Sequence, residues 1–366
     1  MDIRIEEYTA KARAPWSDAS LVSRRISKPA PLALHEKFHT VRGATSAKWN
    51  NPMFTKMERD LFQDSPPAMS YELPDVTVFG HGFVIASHEG VVRQSRYLAT
   101  NIETRISNSL RDPILTLDTW YPWIIASNAS QTNYWHWVAQ VLPAIMQSRE
   151  FLLDSGCSTY GLLTHQLTKW QRESLEMLDV GAIDVVEIGT FQSARVSAAI
   201  YSDLLSTGNP FTPSVHRAMV RDRLLSKTNE NIESGKKICV SRMDSSKRRI
   251  INEQDLHNAL IDNGFDIITP GSLTVHDQVR LFHSAEIVVA PHGAGSANML
   301  FCRPGARVLE IGKGSRPNAG PASLCKTSGA QLWIDFFPDD GTIDSPGGWH
   351  VDIDVILDTL SRMSGD

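Results

Sequence analysis

Ile287-Val288-Val289-Ala290 runs directly into Pro291-His292-Gly293-Ala294-Gly295-Ser296. Four consecutive apolar residues ended by a turn signal read as a strand. Pro291 and the two glycines end the strand and allow a tight turn. Residues 296–301 then read as a helix. The sequence on either side repeats this rhythm. Upstream, Ile238-Cys239-Val240-Ser241 is a strand, 252–263 a helix, 265–268 a strand and 275–283 a helix. Downstream, Arg307-Val308-Leu309-Glu310-Ile311 is a strand. Short strands alternating with helices form right-handed crossovers and hence a parallel sheet. The expected fold class is α/β.

A second alternating block precedes this one. Val76 to Val78, Phe83-Val84-Ile85 and Val91-Val92 read as short strands around glycines, and 114–117 and 124–125 could continue a sheet. A helix begins at Asn133, a favourable N-cap. Trp137, Val138, Val141, Leu142 and Ile145 share one of its faces, and Pro143 should kink or shorten it. Gly161-Leu162-Leu163, Val185-Val186-Glu187-Ile188 and 196–200 are strands, and 170–178 a helix. Gly208, Pro210 and Pro213 mark 203–213 as a linker, followed by a helix over 214–225. Two such blocks predict two Rossmann-like domains facing a cleft, over 76–210 and 211–345. Residues 1–75, broken by Pro15, Pro29, Pro31, Pro52, Pro66 and Pro67, read as an extended arm or short strands. Residues 346–366 read as a C-terminal helix free to pack back on the first domain. The chain has 366 residues, which at about 150 per domain also gives two.

Composition excludes several classes. Lys and Arg total 36 against 41 Asp and Glu, a net charge of −5 that disfavours non-specific binding to nucleic acid or anionic membranes. Hydrophobic residues are 42% and charged residues 21%, ordinary for a globular protein. Cys157, Cys239, Cys302 and Cys325 form no CxxC pair and read as reduced, buried thiols. No apolar run approaches the roughly 18 residues of a membrane span. Met1-Asp2-Ile3-Arg4-Ile5-Glu6-Glu7 carries charges where a signal peptide needs an apolar core. A cytoplasmic location is expected, with peripheral membrane association left open.

Four segments could carry chemistry. The turn His292, Gly293, Ala294, Gly295 follows a strand and opens a helix, where close backbone approach and helix amides suit a phosphate or diphosphate. The alternative is a tight connection with glycine for packing. Arg242 stands at the end of the 238–241 strand, with Lys247, Arg248 and Arg249 behind it. Arginine suits phosphate oxygens, so Arg242 with Arg248 or Arg249 are candidate ligands, against a solvated basic loop. Glu310, near the end of its strand, could hold ribose hydroxyls or be an ordinary strand-end acid. His136 falls at the third helical position after Asn133, close to the helix start. It is a candidate general base, or a structural histidine. Tyr134 and the tryptophans beside it belong to the core or stack on a sugar. There is no P-loop, HExxH or GxSxG. The one DxD spacing, Asp352-Ile353-Asp354, and the pair Asp339-Asp340 read as solvated acids, so no metal site is expected.

Asn133-Tyr134-Trp135-His136-Trp137, Ser241-Arg242 with Arg248-Arg249 and Asn252-Glu253, Pro291-His292-Gly293-Ala294-Gly295 with Asn298, and Leu309-Glu310-Ile311 together resemble glycosyltransferase family 61. The resemblance covers about residues 120–315 and is closest to a bacterial-type member. It implies a GT-B fold, with an N-terminal acceptor domain and a C-terminal nucleotide-sugar domain. It also implies inverting, metal-independent transfer from a nucleotide sugar, UDP-linked by expectation, to a glycan or other hydroxyl acceptor. No cofactor is implied, and surface-polysaccharide or capsule assembly is the expected setting. Carried over, Arg242, Arg248 or Arg249 and the 292–295 turn would bind diphosphate, and Glu310 would lie near the nucleoside. His136 would be the counterpart of the family's N-domain histidine. Asn133, Tyr134, Trp137, Glu253 and Asn298 would serve the acceptor or support the site. A non-catalytic nucleotide-sugar-binding scaffold is the main alternative. Another Rossmann-fold enzyme, such as a nicotinamide-dependent oxidoreductase, lacks the GxGxxG it would need.

Overall fold

The computed structural model describes residues 22–25, 38–42, 69–88, 90–96, 100–130, 132–205, 215–228, 234–245, 247–314, 317–337 and 348–364. The chain divides into two compact units, Met1–Pro29 with Pro66–Pro210, and Ala30–Ser65 with Phe211–Asp366. Each unit is mixed α/β with a Rossmann-like parallel region: the first unit's sheet combines parallel strands with an antiparallel flank, and the second unit's sheet is wholly parallel. The N-terminal arm gives one strand to each. β1 (Val22–Arg25) pairs with the first unit's sheet and β2 (Phe38–Arg42) with the second's. The arm's prolines lie outside the described residues, as do 206–214 of the expected linker.

The first unit contains β3 (Met69–Phe79), β4 (Val84–Ser87), β5 (Gly90–Val91), helix α1 (Ile102–Ser109), β6 (Leu115–Leu117) and β7 (Trp123–Ile125). Helix α2 (Leu142–Asp154), β8 (Gly161–His165), α3 (Lys169–Leu178), β9 (Asp184–Ile188) and β10 (Ser193–Ser202) follow. The sheet order is β5-β4-β3-β10-β7-β8-β9, with β10, β7, β8 and β9 parallel and β3 antiparallel to β10. After β7 the chain builds β8 and β9 on one side and then crosses to place β10 on the other. The carboxyl ends of β7 and β10 therefore flank a switch in strand order, where α/β sheets bind ligands. β3 and β10 are 11 and 10 residues long, well beyond the short runs legible in sequence, because they pair along most of their length.

The expected helix at Asn133 is present, but in pieces. A helical turn over Tyr134–His136 passes into a π-helical segment, Trp137–Val141, and then into α2, with Pro143 in its first turn. Pro143 has no N–H to donate and its ring crowds the preceding turn. The wider π turn ahead of it keeps the helix continuous instead of ending it.

The second unit contains α4 (Val215–Ser226), β11 (Lys236–Val240), α5 (Glu253–Asp262), β12 (Asp266–Ile268), α6 (Val275–Ser284) and β13 (Ala285–Pro291). β14 (Arg307–Lys313), α7 (Gly320–Ser328), β15 (Gln331–Phe337) and α8 (Ile353–Ser364) complete it. Strand order is β12-β11-β13-β14-β15-β2, all parallel. The switch falls between β11 and β13. β13 is buried except at Glu286, which explains its nearly unbroken apolar run. The helix expected from Ser296 is a 3-10 helix that begins two residues earlier, Ala294–Phe301. The C-terminal helix α8 places Ile356, Leu360 and Met363 in the second unit's core with Cys239, Leu309 and Trp333. The sequence had left open its return to the first domain. Its apolar face is instead satisfied by the nearer sheet.

Candidate functional site

In the second unit, the residues at the switch point interlock. Arg242 follows β11 and is 9% exposed. Glu253 Oε1, at the start of α5, accepts the Arg242 backbone N–H at 2.5 Å and the Ser241 hydroxyl at 3.2 Å. A carboxylate at a helix N-terminus is favoured by the helix amides, so Glu253 is a stable anchor for the loop. Arg242 Nη2 donates to Ser245 Oγ at 3.1 Å and to the Lys247 carbonyl at 3.0 Å. Its buried Nε has no hydrogen-bond partner, and no carboxylate contacts the guanidinium among the described residues. Burial pushes the Arg242 pKa down, opposed by Glu253 and then Asp244. A buried cation without a contact counter-ion is a costly arrangement that an anionic ligand would relieve.

The guanidinium lies on the turn after β13. A Cβ on Gly293 would sit 1.8 Å from Arg242 Nη1. The turn thus needs glycine at 293 for space. Gly295 differs: its nearest neighbour would be Val240 Cγ1 at 3.6 Å, an ordinary contact. Ala294 and Gly295 open the 3-10 helix, where the first amides lack acceptors within the helix. His292 N donates to the Ile311 carbonyl at 2.8 Å, and its Nδ1 lies 2.6 Å from Glu310 Oε1.

Glu310 is not at the end of its strand. β14 runs on to Lys313, so Glu310 is mid-strand and 2% exposed. It lies opposite Ala290 in the sheet, and His292, two residues further along, shares that face. A ligand sugar would meet His292 before it met Glu310.

The remaining basic residues are placed differently. Arg248 has a left-handed backbone, φ 55°, and its carbonyl accepts from Trp349 Nε1 at 3.3 Å. Arg249 is exposed, and its carbonyl accepts the Trp349 N–H at 3.0 Å. It is Arg242 that the structure seats against the 292–295 turn. Asn298 is fully buried and donates to Gln278 Oε1 at 2.8 Å, which fixes the 3-10 helix against α6.

In the first unit, polar residues also gather at the switch point. Asn133 caps its helix, accepting from Trp135 N at 3.0 Å and His136 N at 3.4 Å. His136 Nδ1 lies 2.6 Å from Gln140 Oε1, and Asn128 Nδ2 approaches the same oxygen at 3.5 Å. The Asn128 amide, oriented by its bond to the Leu205 carbonyl, donates to that atom and so marks it as the amide oxygen. His136 then donates from Nδ1, leaving the lone pair on Nε2. Burial pushes the His136 pKa below its ordinary value, with the Gln140 hydrogen bond opposing. Asn128, just after β7, also donates to the Leu205 carbonyl at 3.2 Å, beyond the end of β10. It bridges the two strands of the switch.

Trp137 does not serve a ligand. It is 1% exposed, and its Nε1 donates to Ser174 Oγ at 2.8 Å. Tyr134 is half-buried with its ring edge-on to Trp170 at 5.3 Å. Sequence reasoning missed Asn128, Gln140, Ser127 and His165. Ser127 and the buried His165 are joined at 2.8 Å, and Gln171 Oε1 lies 3.2 Å from the other ring nitrogen. Polar residues directly after the apolar Trp123-Ile124-Ile125 run were the available signal.

Among the described residues, no group of three or more His, Cys, Asp and Glu could hold a metal ion, and no helix is long and apolar enough to cross a membrane. All four cysteines are free, and burial pushes the Cys239 and Cys302 thiols up to about 12.

Both units thus belong to the class of α/β bodies with Rossmann-like sheets and polar groups at the strand-order switch. The family model for Glycosyltransferase 61 matches residues 134–309. Over that stretch the chain is similar to glycosyltransferase family 61. It takes in His136, Arg242 and the 292–295 turn, while Asn133 and Glu310 stand one residue outside its two ends. No curated protein matches the chain.

Proposed function

We propose that this chain is a family 61 glycosyltransferase that moves a sugar from a nucleoside-diphosphate donor to a hydroxyl acceptor, with inversion and without a metal. The observation that carries the reading is the buried Arg242 guanidinium, without a contact counter-ion, lying on the Gly293 turn at the β11/β13 switch. In the reaction, an acceptor oxygen bonds to the anomeric carbon and gives its proton to His136 Nε2. The bond from that carbon to the phosphate oxygen breaks, and its electron pair leaves with the diphosphate. Arg242, His292 and the first amides of the 3-10 helix stabilise that growing charge. A GT-B fold is part of the proposal. So are a UDP-linked donor, a cytoplasmic location and a role in surface-polysaccharide synthesis.

A melting screen over nucleotide sugars identifies the donor, and transfer is then assayed with it. Arg242→Ala is expected to lower transfer by at least ~100-fold with the fold intact, as for one lost charge-stabilising donor. Transfer in EDTA should match the untreated enzyme. Near-normal turnover of a folded Arg242→Ala protein overturns the site. Loss in EDTA with rescue by manganese overturns the metal-free mechanism.

A further inference from the structure

We propose that Glu310 is a positioning residue that acts through His292: it holds Nδ1–H so that Nε2 faces the donor diphosphate, and it does not bind ribose. The inference deepens the donor-site reading above and rests on it. Three observations carry it. Glu310 is 2% exposed and mid-strand, which leaves little carboxylate surface for a ligand. Its Oε1 lies 2.6 Å from His292 Nδ1. The two residues share a face of adjacent parallel strands, and the His292 backbone is pinned to Ile311 at 2.8 Å.

A carboxylate only accepts hydrogen bonds, so Nδ1 must carry the proton in this contact. The ring can then turn only Nε2 outward, and the His292 side chain is 18% exposed. Phosphate oxygens also only accept. A diphosphate oxygen therefore needs a donor at Nε2, and the carboxylate behind the ring is what keeps that nitrogen turned toward it. The charges around the ring are Glu310 on one side and the Arg242 guanidinium across Gly293. Arg242 and the His292 ring would together hold the diphosphate that a metal holds in other transferases.

The test measures binding of UDP, GDP, ADP and CDP, and of the parent nucleosides by competition, to wild type, Glu310→Gln, His292→Asn and the double variant. Glu310→Gln should weaken the diphosphate about tenfold, the loss of one charge-assisted hydrogen bond. It should leave the nucleoside unchanged and add less than about twofold in the His292→Asn background. Equal weakening of nucleoside and diphosphate would place Glu310 on the ribose and overturn the proposal. A full additional loss in the double variant would do the same. Nitrogen-15 spectra of histidine in the unliganded wild type give a readout free of any folding defect or donor assignment. Nδ1 protonation is expected, and a bare Nδ1 overturns the pair even if the donor site stands. If no nucleoside diphosphate binds the wild type, the donor reading fails and this proposal with it.

Discussion

Gly293 has a φ of 175°, extended backbone that any residue adopts, so its requirement is spatial: an added Cβ would reach Arg242 Nη1. The atom displaced is the tip of a flexible side chain, so Gly293→Ala should leave stability nearly unchanged. Nucleoside-diphosphate binding should weaken about 10- to 100-fold, the range for a lost charged hydrogen bond. Gly295→Ala meets only ordinary contacts and should bind nearly normally. Calorimetry on the two variants checks this, and equal losses would show that the turn and not the guanidinium matters. His136 gives a pH prediction. A base must be unprotonated, and burial lowers this imidazole's pKa. The acid limb of kcat/KM should therefore lie below the ordinary histidine value of about 6.5. Gln140→Leu removes the acceptor that fixes the tautomer and should lower kcat while leaving that limb below 6.5. A limb above 6.5 would exclude His136 as the base. At this scale, sequence picked out Arg242, His136 and His292 by residue type beside predicted strand ends and helix starts. It misread Glu310, because the strand's true end at Lys313 depends on pairing with β15. It missed Gln140 and Asn128, whose value lies in converging on one another.

The helix that carries His136 is held at its start by Asn133, whose side chain satisfies two backbone donors. Asn133→Ala should cost about 1 kcal/mol and lower Tm by about 2–4 °C. Asn133→Asp should retain most of the stability, since it caps equally well. Melting curves of the two variants distinguish a capping role from a general surface effect: equal losses would exclude capping. The N-cap and the apolar face from Trp137 to Ile145 were legible, because both are local and periodic. The π segment was not. Pro143 announces a disturbance, but whether a helix stops, kinks or widens depends on the packing that holds both halves in place. Trp137, Val138 and Leu142 are all buried here, so the core holds the helix together across the proline.

The two units are interleaved in sequence, since residues 30–65 belong with 211–366. β2 covers the edge of β15, whose sequence Gln331-Leu332-Trp333-Ile334-Asp335-Phe336-Phe337 is largely apolar. Uncovered apolar edges pair with other chains. A 211–366 fragment should therefore aggregate more readily than the same fragment joined to residues 30–65, as light scattering would show. Equal solubility would mean that β2 is dispensable. Nothing in the sequence marks 38–42 as a sixth strand of the second sheet. Its partner lies nearly 300 positions away, and no local pattern reports such a pairing. By itself, the sequence determined the alternation of strands and helices, the two-block organisation and the placing of Arg242 and His292 at strand ends. These follow from hydrophobic periodicity and turn residues, which act between near neighbours. Only the tertiary structure decided the strand order, the switch points, the seating of Arg242 on Gly293 and the Glu310–His292 contact. Each of these joins residues far apart in the chain, and each depends on register and close packing that exist only once the sheets have formed.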